Sequence, residues 1–257
     1  MRRIRVIPVL LLKHNGLVKT VKFKNPVYIG DPINAVKIFN EKEVDELLIL
    51  DISATPEKRE PSYKKVAEIG SECFMPFGYG GGINDIDQIK KILNAGAEKV
   101  IINSSAFNIP SLISEAARLF GSQSIVGSID VKRDFLGKYM VYIQCGSRKI
   151  NKDPVGYAKE LENLGAGEIF LNSIDRDGCL QGYDLQLIKS VSQAVNIPLV
   201  VCGGAKNVDD FALAVNDGGA SAVAAGSMFV FHGRKKGILI NFPSQDELTG
   251  KLYNRHE

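Results

Sequence analysis

The sequence predicts a (β/α)8 barrel, in which eight parallel strands alternate with helices. Short apolar runs of strand length recur along the 257 residues, and amphipathic stretches separate them. Strands that are apolar almost throughout are typical of a parallel sheet covered on both faces. The length suits one α/β barrel, so we expect a single domain over residues 1–257.

The eight predicted strands lie, in order, in RVIPVLLL, VDELLILDI, FMPFGYGGG, EKVIINSS, SIVGSIDV, EIFLNSI, IPLVVCGG and ASAVAAGS. Helices are predicted between them. INDIDQIKKILNAGA places Ile89 and Ile92 on one helical face, and YDLQLIKSVSQAV does the same with Leu187 and Val191. An Asp-Pro pair at Asp31 and another at Asp153 indicate an N-cap followed by proline in the first helical turn.

The two halves of the chain repeat each other at a constant spacing. Three features recur 122 residues apart: Asp31-Pro32 as Asp153-Pro154, Glu46 as Glu168, and Gly81-Gly82 as Gly203-Gly204. A constant offset of about half the chain predicts two half-barrels within one fold, at about 1–122 and 123–240.

Composition and charge narrow the range of partners. The chain is 45% hydrophobic and 24% charged with a net charge of +3, so neither a nucleic-acid nor a membrane partner is indicated. The four cysteines are not arranged as CxxC, which predicts reduced thiols in a cytoplasmic protein without a zinc site. We expect no metal and no cofactor. His14, His232 and His256 are not expected to act as catalytic bases.

Two predicted strands end in glycine pairs, YGGGI and CGGA, and the next strand in each half ends in a small polar turn, INSS or AGSM. Glycine lets backbone N–H groups approach an anion, and a following helix N-terminus favours negative charge. The sequence therefore predicts one phosphate site in each half-barrel; the alternative is a tight turn with no ligand. The predicted phosphate-binding residues are Gly82, Asn103, Ser104, Gly203, Gly204, Gly226 and Ser227.

A set of short motifs is distinctive in this chain: GDP at Gly30, DELLILDI at Asp45, GGGI at Gly80, IDVKR at Ile129, GAGEI at Gly165, SIDRDG at Ser173 and GYD at Gly182. Through them nearly the whole chain resembles the HisF family, the cyclase subunits of imidazole glycerol phosphate synthase in histidine biosynthesis. The resemblance implies that ammonia from a glutaminase (HisH-like) partner passes along the barrel to a bisphosphorylated ribonucleotide intermediate.

The catalytic acid and base of that family lie at the ends of strands 1 and 5. The strand 5 aspartate matches Asp130, but the strand 1 position falls on Leu11, which can neither give nor take a proton. Loss of such a group costs about 10²- to 10⁴-fold in rate. The alternative is that another acid, Asp51 or Asp177, takes its place.

Other positions implied by the resemblance are kept. The charged ring that admits ammonia at the N-terminal face of the barrel, where the glutaminase docks, matches Arg5, Glu46, Lys99 and Glu168; the alternative is a solvated rim. Lys19 is kept in the first loop. Asn172 and Cys179 stand where the family tends to carry threonine.

A paralogous branch of the family shares segments such as RVIPVLLLK and ILINFPS. It is implicated in forming acetamidino sugars of surface polysaccharides, where a third enzyme performs the amidation. The sequence therefore favours an ammonia-channelling subunit. A histidine-pathway cyclase that tolerates Leu11 is the first alternative, and a sugar-phosphate isomerase, which would also use a strand 1 aspartate, is the second.

Overall fold

The computed structural model describes residues 4–233 and 237–253. Its strands are β1 (Arg5–Lys13), β2 (Gly16–Val21), β3 (Lys24–Gly30), β4 (Leu47–Asp51), β5 (Phe77–Gly80), β6 (Lys99–Ile102), β7 (Ile125–Arg133), β8 (Tyr139–Ile143), β9 (Arg148–Lys149), β10 (Glu168–Ser173), β11 (Leu199–Cys202), β12 (Ala222–Ala225), β13 (Phe231–His232) and β14 (Gly237–Ile238). Eight of these strands form a barrel, β2, β3, β8 and β9 form antiparallel additions to it, and β13 and β14 form a separate two-stranded sheet.

The barrel closes through parallel pairing of every neighbour in the order β1, β4, β5, β6, β7, β10, β11, β12. The circle is completed where Arg5 of β1 pairs with Ala222 of β12. The predicted (β/α)8 fold is confirmed, and all eight predicted strands are present. In this order β7 lies four strands from β1 in either direction, so strands 1 and 5 of the barrel face each other across its interior.

The helices are α1 (Pro32–Glu41), α2 (Tyr63–Glu72), α3 (Ile86–Asn94), α4 (Ser104–Asn108), α5 (Ser111–Phe120), α6 (Pro154–Asn163), α7 (Leu185–Ser192), α8 (Val208–Asn216) and α9 (Gln245–Leu248). The predicted caps are confirmed, because the Asp31 carboxylate accepts bonds from two N–H groups of α1 and the Asp153 carboxylate accepts one from α6. No helix of the described residues is long and apolar enough to cross a bilayer.

Two antiparallel additions rise from the carboxyl ends of barrel strands, and the apolar runs did not predict them. The hairpin β2–β3 follows β1, and β8 and β9 extend β7. The turns of the two additions meet, because a Cβ at Gly146 would lie 3.0 Å from the ring of Phe23. Together they narrow the opening of the barrel.

Alternate residues of each barrel strand point into the barrel. The middle of the interior is a compact apolar cluster of Ile7, Val9, Leu48, Ile101, Val126, Phe170, Val200, Cys202, Ala222 and Ala224, with Leu11 and Leu50 packed on it. A second, larger core lies between the barrel and the helices. The inward rows fix which polar side chains lie at each end of the barrel. The half-barrel boundaries stay a prediction.

Candidate functional site

A pocket of about 420 Å³ lies at the carboxyl ends of the barrel strands. This volume is typical of a small-molecule site, and this end of a (β/α)8 barrel is where active sites lie. The predicted site residues that border it are Leu11, Lys19, Asp51, Gly82, Asn103, Ser104, Asp130, Asp177 and Gly226. A smaller adjoining pocket is bordered by Asp177, Gly203, Gly204, Gly226 and Ser227. Cys145 and Phe23 also line the large pocket; they come from the unpredicted additions.

Leu11 faces the pocket from β1. It packs on the apolar cluster of the barrel interior and is only partly buried, so its side chain forms part of one pocket wall. The Asp130 carboxyl lies on β7, the strand on the opposite side of the barrel. The pocket therefore has an acid on one wall and a hydrocarbon on the wall opposite.

Asp130 is an unusually basic carboxyl. The residue is 8% exposed, and its Oδ2 atom accepts a 3.3 Å bond from the Asn103 amide. Burial and, to a smaller extent, the carboxyl of Asp177 raise its pKa from 3.8 to about 7. A carboxyl with a pKa near 7 can exchange a proton at neutral pH, as acid–base catalysis requires.

The raised pKa of Asp130 predicts a pH-dependent stability. Because the buried carboxyl favours the protonated form, its contribution to folding is lost as the pH rises from about 4 to about 7. We expect Asp130→Asn to be more stable than the native protein by about 1–3 kcal/mol at pH 8 and to lose most of that advantage at pH 4. Urea unfolding at the two pH values measures it; an advantage independent of pH would contradict the raised pKa.

Asp51 is fully engaged by its own loop. Its carboxylate accepts bonds from the Arg59 guanidinium, at 2.7 and 2.9 Å, and from the backbone and hydroxyl of Ser53. With its oxygens satisfied and its charge paired with Arg59, it holds the loop after β4. This arrangement argues against Asp51 as a replacement acid. No sequence pattern pointed to Arg59, which reaches Asp51 only because the loop turns back.

Asp177 links the first hairpin to the loop after β10. Its Oδ2 atom accepts bonds from the Thr20 hydroxyl at 2.9 Å and from the Phe23 N–H at 3.3 Å, while its carbonyl accepts one from the Lys22 N–H. Burial raises the pKa of its carboxyl, although the bond from Thr20 and the charge of Lys19 oppose the shift. The hairpin is thus docked over one side of the pocket.

The segment between β1 and α1, in which Lys19 was expected as a loop residue, forms the hairpin β2–β3. Lys19 belongs to β2 and is 5% exposed, and its ammonium donates a 2.5 Å bond to the Val9 carbonyl inside the mouth. Burial lowers the pKa of this ammonium to about 8, although the nearby Asp177 opposes the change. A hairpin strand in register with β1 directs Lys19 inward, which apolar periodicity alone does not reveal.

The residues predicted to bind phosphate lie where expected, but several already have protein partners. The Gly82 N–H donates to the Thr55 hydroxyl at 3.3 Å, and the Ser104 hydroxyl accepts the Gln144 N–H at 3.0 Å. The Asn103 amide donates to Asp130 and to the Ser128 carbonyl. In the first half-barrel, phosphate would have to replace or supplement these bonds.

Gly204 shows why glycine is needed in the second half-barrel even without a ligand. Its φ is +111°, and an added Cβ would overlap the carbonyl oxygen of Gly182. We expect Gly204→Ala to lower the free energy of unfolding by about 2 kcal/mol or more. Gly250→Ala is the control, because no atom of the described residues lies near its Cβ position. Equal denaturation midpoints for the two variants would refute this packing role.

The four predicted ring residues meet at the opposite end of the barrel. Arg5 donates to Glu46 and to Glu168, and the Lys99 ammonium donates to Glu46 at 3.0 Å and to Glu168 at 2.9 Å. Both carboxylates are buried, whereas the Arg5 and Lys99 side chains are 28% and 18% exposed. Burial alone would lower the pKa of Arg5, but the charges of the two glutamates outweigh this effect, so the pKa is raised. The charges thus form a closed, alternating ring, and we name it the floor ring.

The two histidines that the structure describes lie outside the pocket and outside the floor ring. His14 is at the exposed turn between β1 and β2, with its Nδ1 atom 3.6 Å from Glu57. His232 is exposed on β13, and His256 lies outside the described residues. Among the described residues, no group of His, Cys, Asp or Glu is placed to hold a metal ion.

The fold and the site define a (β/α)8-barrel protein of the enzyme type, with its pocket at the carboxyl ends of the strands. A family model described as histidine biosynthesis protein matches residues 5–235. The chain therefore belongs to this family, and the resemblance on which the site assignments depend is confirmed.

Three relatives show where in the family the chain lies. It is 51% identical over 96% of its length to a Pseudomonas aeruginosa protein named "Putative imidazole glycerol phosphate synthase subunit hisF2", of which it covers 99%. It is 49% identical over 96% of its length to "Putative imidazole glycerol phosphate synthase subunit hisF3" of Vibrio vulnificus, covering 95% of it. With "Imidazole glycerol phosphate synthase subunit HisF" of Alkaliphilus metalliredigens it shares 43% identity over 89% of the chain and 90% of that protein.

Proposed function

We propose that this barrel is the ammonia-conducting subunit of a glutamine-dependent amidation complex. A HisH-like glutaminase docks at the strand-start end, ammonia enters at the floor ring, and it leaves through the pocket. The acceptor is a phosphorylated small molecule or a substrate held by a third enzyme. We infer that this acceptor belongs to the formation of acetamidino sugars for surface polysaccharides.

One observation carries the proposal: the floor ring and the pocket lie on the same inward rows, at opposite ends of an apolar interior. Arg5 and Leu11 share the row of β1, and Glu168 and Asn172 share that of β10. The floor ring has all four of its charged residues, whereas the pocket has leucine at position 11 in place of an acid. A barrel selected to pass ammonia needs the first feature and can dispense with the second.

The relatives support a role apart from the histidine pathway. Two of the most similar proteins carry the numbered names hisF2 and hisF3. Relatives whose names do not begin with "Putative" share less identity with this chain, between 42% and 44%. A second barrel beside a working cyclase is free to serve another acceptor.

Removing one cation from the floor ring tests conduction. We expect Lys99→Ala to reduce glutamine-dependent product formation about tenfold or more in the reconstituted complex, while product formation from added ammonium changes less than twofold. The floor ring would be broken, but the pocket would be intact. Product is measured with each nitrogen source, and Lys65→Ala, which removes a partly buried, ion-paired lysine of α2, is the control. Equal losses with both sources would contradict conduction.

The second candidate function is the histidine-pathway cyclase, which would convert the bisphosphorylated ribonucleotide intermediate and ammonia to imidazole glycerol phosphate and AICAR. Asp130 favours it, because its raised pKa and its contact with Asn103 suit acid–base chemistry. A phosphate near each glycine pair would fit a bisphosphorylated ligand. This candidate requires catalysis without an acid at Leu11.

A further inference from the structure

The side-chain amide of Asn172 lies where the apolar interior of the barrel opens into the pocket. Glu168, Phe170 and Asn172 alternate along β10 and therefore share one inward row. Asn172 is in register with Asp130 of the neighbouring β7. A molecule that moves along this row from the floor ring meets Phe170 first and the amide of Asn172 next.

The oxygen of this amide has no hydrogen-bond partner among the residues that the structure describes. Asn172 is 7% exposed, and its Oδ1 atom is buried without a donor. Buried polar side-chain atoms are nearly always hydrogen-bonded, so an orphaned acceptor at a pocket wall indicates that a ligand supplies the donor. Asn172 borders the 420 Å³ pocket, so a ligand in the pocket reaches it.

A second acceptor, the carboxyl of Asp130, lies beside Asn172, and the surroundings leave space for the amide. Asp130 is its register partner, and only Oδ2 of that carboxyl is engaged by Asn103 among the described contacts. A Cβ at Gly203 would lie 2.9 Å from the Asn172 Oδ1 atom, so glycine there leaves the amide oxygen uncrowded. An amide oxygen beside a carboxyl is a suitable site for a small molecule that carries several N–H groups.

We propose that Asn172 and Asp130 form a docking site for one ammonia molecule at the exit of the barrel interior. The inference rests on the proposed conduction and adds the place where ammonia is held before it meets its acceptor. The two oxygens accept N–H bonds from ammonia and leave its lone pair unengaged, so the bound molecule stays nucleophilic.

The test is an ammonium titration of the ¹⁵N-labelled barrel, followed by NMR of its side-chain amides. Asn172 is assigned from the signal that Asn172→Leu lacks. Ammonium chloride is compared with tetramethylammonium chloride at equal ionic strength and at a pH where part of the ammonium is neutral, because the second cation has no N–H donor. The Asn84 amide, which is exposed and donates to the Gly82 carbonyl, reports any general effect of salt.

We expect ammonium to shift the Asn172 amide saturably and the Asn103 amide with it, while Asn84 stays unchanged. In Asn172→Leu the response of Asn103 should weaken at least tenfold. No saturable shift at Asn172 would overturn the docking site, as would an equal response to tetramethylammonium or an undiminished response of Asn103 in the variant. None of these outcomes would contradict the conduction of ammonia through the barrel, which the Lys99→Ala comparison tests by itself.

Discussion

The purified barrel should show no measurable cyclase turnover with high ammonium and the bisphosphorylated ribonucleotide intermediate, and Leu11→Asp should restore part of it. Leu11 and Asp130 lie on opposite walls of the pocket, so aspartate at position 11 would return a carboxyl to the place facing the retained acid. Loss of one proton-transfer group costs about 10²- to 10⁴-fold, so we expect the rate of Leu11→Asp to exceed the detection limit of the assay by about 10²-fold. The assay follows imidazole glycerol phosphate formation from ammonium, without the glutaminase.

Leu50→Asp is the matched control for this experiment. Leu50 is the register partner of Leu11 on β4, borders the same pocket and packs on the same cluster, so its replacement puts a carboxyl one strand away. It should give no gain. Robust turnover by the native protein would show that Leu11 is tolerated, and the histidine-pathway cyclase would then be the better assignment.

The sequence predicted the barrel well because the information that specifies it is local and repeated. Each barrel strand is an apolar run that must be buried on both faces, and each helix has one apolar face. The internal repeat places Glu46 and Glu168 122 residues apart at the starts of equivalent strands, and the resemblance implied the ring that they form with Arg5 and Lys99, which the structure brings together.

The parts that the sequence did not predict depend on contacts between distant segments. The hairpin that carries Lys19 lies in its position because Asp177, more than 150 residues away in the chain, holds its turn. The Arg59–Asp51 pair and the orphaned oxygen of Asn172 likewise depend on how loops and strands meet. Periodicity gives the face on which a residue lies, but it does not give the partners that the residue finds there.

Glu46→Ala should lower the free energy of unfolding by about 3–5 kcal/mol, because it breaks the floor ring at a buried carboxylate. Glu46 is 3% exposed and accepts bonds from both Arg5 and Lys99. Its removal would leave two cations facing each other with Glu168 alone between them. Denaturant unfolding measures the loss. Glu68→Ala, which removes the exposed partner of Lys65 on α2, is the control and should change the midpoint little.

A second variant separates stability from function at the floor ring. Breaking a buried ion pair is costly, but replacing the whole set by apolar residues of similar volume is often neutral or stabilising. We therefore expect the quadruple variant R5M/E46L/K99M/E168L to regain most of the stability that Glu46→Ala loses. It should still fail to use glutamine in the reconstituted complex. If the quadruple variant conducted ammonia as the native barrel does, the charges would not be needed for entry; if it stayed as unstable as Glu46→Ala, the ring would be a structural element first. The expected pair of results, restored folding without glutamine use, would mean that this barrel keeps four costly charges at its floor because ammonia has to enter there.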